Sequence, residues 1–154
     1  MRRYDRYWTG WKPLWRNKKN VIKREDRMEN VTYITGDGVP QSFLPFSPAV
    51  QAGQYVFISG QASVDDSGTI VKGTFEEECR RSFDNLGKIL KAAGLGFENV
   101  VQVRNYVGSQ EDLAAFNQIY KEYFTAPFPA RTTLIGCLGD LLKFEVDAVA
   151  MLKR

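Results

Sequence analysis

The sequence feature that most constrains this chain is a proline-rich turn at residues 127–133, between a helix-like pattern and a strand-like pattern. Pro127 and Pro129 fix their own backbone torsions and resist helix, so the chain turns before the next strand begins. The turn places Arg131 at the start of that strand. Because a guanidinium is planar and stays charged at any working pH, Arg131 can bind a carboxylate through two parallel hydrogen bonds. The alternative is that Arg131 makes an ordinary surface salt bridge.

Two helices are predicted where apolar residues recur every three or four positions. The first begins with a capping box formed by Thr74 and Glu77 and ends at Gly94. Its predicted buried face consists of Phe75, Cys79, Phe83, Leu86, Leu90 and Ala93. The second helix begins after a cap at Ser109. Its predicted buried face consists of Leu113, Phe116, Tyr120 and Tyr123.

Strand patterns occupy residues 31–34, 49–53, 54–60, 100–107, 132–137 and 143–152. Alternate residues of the last strand share a face, with Phe144, Val146, Ala148 and Ala150 on one side and Glu145, Asp147, Val149 and Met151 on the other. Both helices follow strands and can pack on one side of the sheet. The fold class is therefore predicted to be α+β, a two-layer domain with one β-sheet and two helices on one face.

Composition excludes several kinds of site. The 154 residues contain no histidine, which removes the usual general base near neutral pH and the commonest transition-metal ligand. The two cysteines, Cys79 and Cys137, are too few for a disulfide framework or a zinc site. Cys79 falls on the apolar face of the first helix and is interpreted as a core thiol. Any chemistry must use carboxylates, arginine, hydroxyl groups, backbone groups and water.

Charge is distributed unevenly along the chain. Residues 1–27 hold ten Lys/Arg and three Asp/Glu, whereas residues 28–154 hold eleven Lys/Arg and fifteen Asp/Glu, a balance of −4. The basic, tryptophan-containing leader is interpreted as a disordered extension outside the domain at 28–154. Nucleic acid would be attracted only by this leader. No apolar stretch is long enough to cross a bilayer and no secretory signal is evident, so a soluble, cytoplasmic protein is expected.

Two charged residues suggest a catalytic pair. Glu145 lies near the start of the last strand, and neighbouring antiparallel strands could bring it close to Arg131. A partly buried glutamate can hold or deprotonate a water molecule while an arginine binds the carboxylate of the substrate, which suits hydrolysis of a small carboxylic acid. The alternative for Glu145 is a salt bridge on an exposed sheet face. Asp147, on the same face, competes for either role.

Six segments of the chain resemble, in order, the RidA (YjgF-type) family of reactive-intermediate deaminases. These segments are residues 46–50, 56–61, 92–95, 116–120, 128–133 and 144–150. The most specific part is the Pro-Ala-Arg-Thr turn at residues 129–132 together with the later Glu-Val-Asp-Ala at residues 145–148. The resemblance covers about residues 30–153 and leaves the leader outside.

The resemblance implies a chorismate-mutase-like fold assembled as a homotrimer, with three sites in the clefts between subunits. It implies hydrolysis of enamine and imine intermediates, such as 2-aminoacrylate and its imine tautomer, to a 2-keto acid and ammonia without a metal or cofactor. By position, Arg131 would bind the substrate carboxylate and Glu145 would orient the attacking water, helped by the backbone carbonyl of Thr133. The other residues expected to line the pocket are Phe46, Ser59, Gly60 and Asn117.

Three positions differ from the usual family pattern. Phe46 stands where tyrosine is usual, Thr133 where cysteine is common, and Asp147 where glutamate is usual, at a position expected to be exposed. The hydroxyl missing at Phe46 leaves open a second hypothesis, a non-catalytic trimer that binds a 2-keto acid or related metabolite. RNA cleavage or inhibition of translation, also ascribed to members of this family, is a third hypothesis. The acidic domain and the absence of histidine argue against it.

Overall fold

The computed structural model describes residues 31–36 and 38–152. The described residues form six strands: β1 (Val31–Ile34), β2 (Ala49–Ala52), β3 (Tyr55–Ala62), β4 (Val100–Val107), β5 (Ala130–Ile135) and β6 (Phe144–Met151). They also form two α-helices, α1 (Phe75–Ala92) and α2 (Leu113–Tyr123). The 3-10 turns Phe97–Asn99 and Gln110–Asp112 precede β4 and α2. The predicted extension at residues 1–27 lies outside the described residues.

The six strands form one sheet in the order β1-β2-β3-β6-β4-β5. Only β4 and β5 pair in parallel, because α2 carries the chain from the end of one back to the start of the other. The pairing of β3 with β6 shifts register between Ile58 and Gln61. Ser59 and Gly60 therefore lie opposite the single residue Asp147, which is a β-bulge.

Both helices pack on the same face of the sheet. The Phe83 ring of α1 and the Phe116 ring of α2 lie 5.2 Å and 5.5 Å, centroid to centroid, from the Phe144 ring of β6. The predicted capping box begins α1, since the Thr74 hydroxyl accepts from the Glu77 amide at 3.2 Å and the Glu77 carboxylate accepts from the Thr74 amide at 2.8 Å. The predicted two-layer α+β domain, with one sheet and two helices on one face, is confirmed.

Two of the differences between the predicted and the observed element boundaries concern β5 and α2. Strand β5 begins at Ala130 rather than residue 132 and ends at Ile135, because it pairs with β4 over that whole length. The Ser109 hydroxyl accepts from the Glu111 amide and so caps the 3-10 turn, whereas α2 itself begins four residues later at Leu113. Both differences arise from pairing and local turn geometry that apolar periodicity does not report.

The other face of the sheet, called here the open face, is covered by no helix of the described residues. Paired residues form two apolar rows across four strands on this face. One row is Tyr33, Val50, Phe57 and Val149, and the other is Val31, Ala52, Tyr55 and Met151. Tyr33 and Phe57 are 54% and 50% exposed. Contiguous apolar surface of this kind usually marks an interaction site.

Candidate functional site

Arg131 lies on the helix side of the sheet, where α2 supports its guanidinium. The Cζ atom lies 4.9 Å from the centroid of the Tyr120 ring and 5.2 Å from that of the Phe116 ring, within the range of a cation–π contact. Nη1 donates a hydrogen bond of 3.0 Å to Oδ1 of Asn117. Asn117 is itself oriented, because its Nδ2 donates to the carbonyl of Leu113 at 2.9 Å. The guanidinium therefore has a fixed support on one side.

A pocket of about 390 Å³ opens at this guanidinium, and we call it the arginine pocket. Its lining residues are Asn117, Tyr120, Lys121, Phe128, Pro129 and Arg131. A guanidinium carries five N–H donors. Among the described residues, Arg131 uses only one of them, in the Nη1 hydrogen bond to Asn117. No carboxylate of the described residues forms a salt bridge with Arg131. The remaining donors are thus available to an external carboxylate.

Glu145 lies on the open face, in a second pocket of about 450 Å³ that we call the glutamate pocket. Its lining residues are Phe46, Val50, Phe57, Ile58, Ser59, Gly60, Arg104, Glu145 and Asp147. Among the described residues, the half-buried carboxylate of Glu145 has no hydrogen-bond partner. Burial, and secondly the negative charge of Asp147, raise the pKa of the Glu145 carboxyl. A carboxylate in this state is suited to hold a water molecule and accept its proton.

The β-bulge shapes the glutamate pocket. A Cβ at Gly60 would overlap Oε1 of Glu145 and lie 3.0 Å from its Cδ, so the carboxylate rests against bare backbone. The Ser59 hydroxyl donates to the Ser47 carbonyl at 2.6 Å, and the Ser59 amide donates to the Pro48 carbonyl at 3.0 Å. These two bonds hold the segment that carries Phe46 against the end of the bulge.

Replacing Gly60 by alanine is expected to destabilise the protein through this contact. The added methyl group has to displace the Glu145 carboxylate, and overpacking of this kind costs about 1 to 3 kcal/mol. Denaturant unfolding at one fixed protein concentration measures the cost. The matched control is the same change in a Glu145→Ala background, where the obstructing side chain is gone and most of the cost should vanish. An equal cost in both backgrounds would show that the contact is unimportant.

Arg131 and Glu145 do not meet within one chain, so the prediction that neighbouring strands bring them together is wrong. Strands β5 and β6 are separated by β4. Arg131 pairs with Val103, which is fully buried beneath the helices, whereas Glu145 pairs with Tyr106 and lies on the opposite face. The sequence pattern identifies both strands correctly, but it contains no information on which strand lies between them.

The other predicted site residues divide between the two pockets. Asn117 joins Arg131 in the arginine pocket, whereas Phe46, Ser59 and Gly60 join Glu145 in the glutamate pocket. Thr133 lines neither pocket. It follows Arg131 by two residues on β5, on the same side of the sheet, and it pairs with the buried Asn105.

Asp147 corrects a further expectation. Its side chain is only 13% exposed and is held by two hydrogen bonds, from Nε of Arg104 at 2.9 Å and from the Tyr106 hydroxyl at 2.8 Å. Sequence reasoning missed Arg104 and Tyr106 as the partners of Asp147. A period-two reading of β4 would have placed both on the face opposite the buried Val103 and Asn105.

Two features are absent from the part of the chain that the structure describes. No group of three or more Cys, Asp and Glu side chains there is placed to hold a metal ion. No helix within residues 31–36 and 38–152 has the length and apolar character needed to span a membrane.

Comparison with known proteins extends these observations. The sequence pattern of the family described as Endoribonuclease L-PSP matches residues 38–152. A mouse protein named 2-iminobutanoate/2-iminopropanoate deaminase is 39% identical over 114 residues, which are 73% of this chain and 84% of the mouse protein. "Protein mmf2, mitochondrial" from Schizosaccharomyces pombe is 42% identical over 110 residues, 69% of this chain and 86% of that protein.

A solved structure shows the same fold. The YjgF gene product of E. coli superposes with a TM-score of 0.71 at 29% sequence identity, over 79% of this chain and 99% of that protein. The family pattern covers the two pockets, the β-bulge and the turn before β5. On the extent of that match and the identity to the deaminases, this chain belongs to the RidA family, whose sequence pattern is described as Endoribonuclease L-PSP.

Proposed function

We propose that this protein is a hydrolytic deaminase of small imino and enamino acids, of the 2-aminoacrylate and 2-iminopropanoate type, which yields 2-keto acids and ammonia. The observation that carries the proposal is the pair of complementary pockets. One pocket presents a supported guanidinium with unused donors, and the other presents a carboxylate with no partner among the described residues. The names of the mammalian relatives, at 35–39% identity, agree with this activity.

The proposal includes a homotrimer, because the two pockets face away from each other in one chain. A single small substrate cannot bind Arg131 and Glu145 of the same chain. A ring in which the arginine pocket of one copy meets the glutamate pocket of the next supplies both groups at every interface. The apolar rows of the open face provide the surface that such an assembly would bury.

Glu145 would move one proton in each half of the reaction. When water adds to the C=N carbon, a C–O bond forms, the π electrons pass to nitrogen, and Glu145 transfers a proton from the water to that nitrogen. In the second half, Glu145 takes the hydroxyl proton of the resulting carbinolamine and delivers it to the amino group. The C–N bond breaks, ammonia leaves, C=O forms, and Glu145 is again ionised.

The remaining residues have supporting roles in this scheme. Arg131 holds the substrate carboxylate by a bidentate pair, and Asn117 orients the guanidinium. Gly60 gives the Glu145 carboxylate its space, and the Thr133 carbonyl helps to orient the water. An imine carbon is already electrophilic, so orientation of the substrate and one water molecule supplies most of the required catalysis. Residence in the cytoplasm stays a prediction, and one relative is named as mitochondrial.

A second candidate function is binding of a 2-keto acid or related metabolite without turnover. The observation in its favour is Phe46, which is 44% exposed in the glutamate pocket and offers no hydroxyl to the substrate. A product-like 2-keto acid needs only the Arg131 clamp and a pocket of suitable size. The two candidates therefore share a site and differ in whether water is activated there.

The test is to generate imino acids in situ with an amino-acid oxidase and to follow 2-keto acid formation with and without the protein. We expect wild-type protein to accelerate product formation, and Arg131→Ala protein to leave the spontaneous rate unchanged. Small, aliphatic and aromatic amino acids should each be supplied, because Phe46 alters the pocket. Saturable 2-keto acid binding with no acceleration for any of these substrates would replace the deaminase by the binding protein.

A further inference from the structure

Three side chains beside Glu145 form a connected network that the proposed reaction does not use. Both carboxylate oxygens of Asp147 are occupied. Oδ1 accepts from Nε of Arg104 at 2.9 Å, and Oδ2 accepts from the Tyr106 hydroxyl at 2.8 Å. Arg104 and Tyr106 are alternate residues of β4 on the open face, directly across from Asp147 and Glu145 of β6.

We propose that Asp147, fixed by Arg104 and Tyr106, is a positioning residue that sets the proton affinity of Glu145. This inference rests on the proposed function, in which Glu145 both accepts and returns a proton. According to this inference the network affects the reaction, whereas a purely structural network would only join β4 to β6.

The geometry holds the Asp147 carboxylate close to Glu145. Two donors, one of them cationic, hold the Asp147 carboxylate in place, and its side chain is 13% exposed. Glu145 is two residues away on the same strand face, so the two carboxylates are neighbours. Because Glu145 has no donor of its own among the described residues, the repulsion from Asp147 is not offset by a hydrogen bond.

Within one chain, the ionisable groups that face Glu145 can be named element by element. From β3 and the segment that carries Phe46, the pocket lining brings no ionisable side chain. From β4 come the cation Arg104 and the neutral Tyr106, whose pKa is raised by burial and then by its bond to Asp147. From β6 comes Asp147. Burial first and the Asp147 charge second raise the pKa of the Glu145 carboxyl, in agreement with the geometry.

The chemical benefit follows from the two proton transfers. A fully solvated glutamate is too weak a base to take a proton from water efficiently at neutral pH. A group that must accept and then donate works best when its pKa lies nearer the working pH. The Asp147 charge raises the pKa of Glu145 in that direction, while Arg104 and Tyr106 hold Asp147 in place.

The first test is the pH dependence of kcat/KM, whose acid limb reports Glu145 in the free enzyme. Removing the charge with Asp147→Asn should shift that limb to lower pH by about 0.5 to 1.5 units and lower the plateau, because Glu145 becomes a weaker base. Arg104→Gln should shift the limb to higher pH. The matched control Asp147→Glu keeps the charge and should leave the limb within about 0.3 units of wild type. If the acid limb shifted in the same direction in Asp147→Asn and in Arg104→Gln, the inference would be overturned.

The second test does not depend on activity. Protein labelled with ¹³C-glutamate is titrated by NMR, and the Glu145 carboxyl signal is assigned by its loss in Glu145→Gln protein. The titration midpoint of Glu145 should fall in Asp147→Asn and rise in Arg104→Gln. These shifts would support the network even in a protein that hydrolyses no imine, where only the proposed function would fail. An unchanged or higher midpoint in Asp147→Asn would overturn the inference whatever the activity.

Discussion

Arg131→Ala protein and Glu145→Gln protein are each expected to lose about a thousandfold in kcat/KM, yet oligomers that contain both chains should recover activity. The loss follows because one variant lacks the group that holds the substrate carboxylate, and the other lacks the group that moves the proton. The recovery follows because each variant keeps the pocket that the other has lost. No single-chain site could show such recovery.

The size of the recovery can be estimated from ring geometry. In a ring assembled at random from equal amounts of the two chains, each interface draws its arginine pocket from one copy and its glutamate pocket from the next. The chance that both pockets are intact is about one quarter, so the mixture should reach about a quarter of wild-type activity.

The measurement requires oligomers in which chains of the two variants are mixed. The two variants, with different affinity tags, are unfolded together, refolded and assayed, and doubly tagged oligomers are isolated to prove mixing. Lys121→Ala provides a matched control for Arg131→Ala. It removes another cation from the arginine pocket but should cost little, because Lys121 makes none of the ring and amide contacts that hold the Arg131 guanidinium among the described residues. Mixed oligomers no more active than either variant alone would refute the shared site.

Local sequence determined much of this fold. The capping box of Thr74 and Glu77 and the extent of β4 were predicted residue by residue, because each depends on contacts within a few positions. Period two correctly assigned the buried and open faces of β6. Glu145 and Arg131 were chosen by their chemistry and by the resemblance to a family, and each lines a pocket, while their catalytic roles stay predictions.

The relation between those residues required the structure. Insertion of β4 between β5 and β6 is a property of long-range pairing, and no local pattern encodes it. The same limit explains why Asp147 was expected to be exposed. Its partners Arg104 and Tyr106 are about forty residues away in sequence, and only the register of β4 with β6 brings them together.

Phe57→Asp is expected to abolish assembly and activity together while the separate chain stays folded. Phe57 lies in one of the two apolar rows of the open face and in the lining of the glutamate pocket. It is 50% exposed in one chain, so a charge there is solvated when the chain is alone. In the proposed trimer the same charge would be buried without a partner. A penalty of several kcal/mol would separate the subunits at micromolar concentration. Light scattering gives the mass, circular dichroism reports the fold, and the imine assay reports activity.

Leu141→Asp is the matched control, since Leu141 is 58% exposed in the loop between β5 and β6 and lies outside the two apolar rows. It introduces the same charge at an equally exposed apolar position, so general effects of charge on solubility are held constant. We expect this variant to assemble and to turn over substrate as the wild type does. A folded Phe57→Asp monomer that kept full activity would contradict both the shared site and the trimer. Because the two pockets face opposite ways, such a monomer would require a substrate site within one pocket.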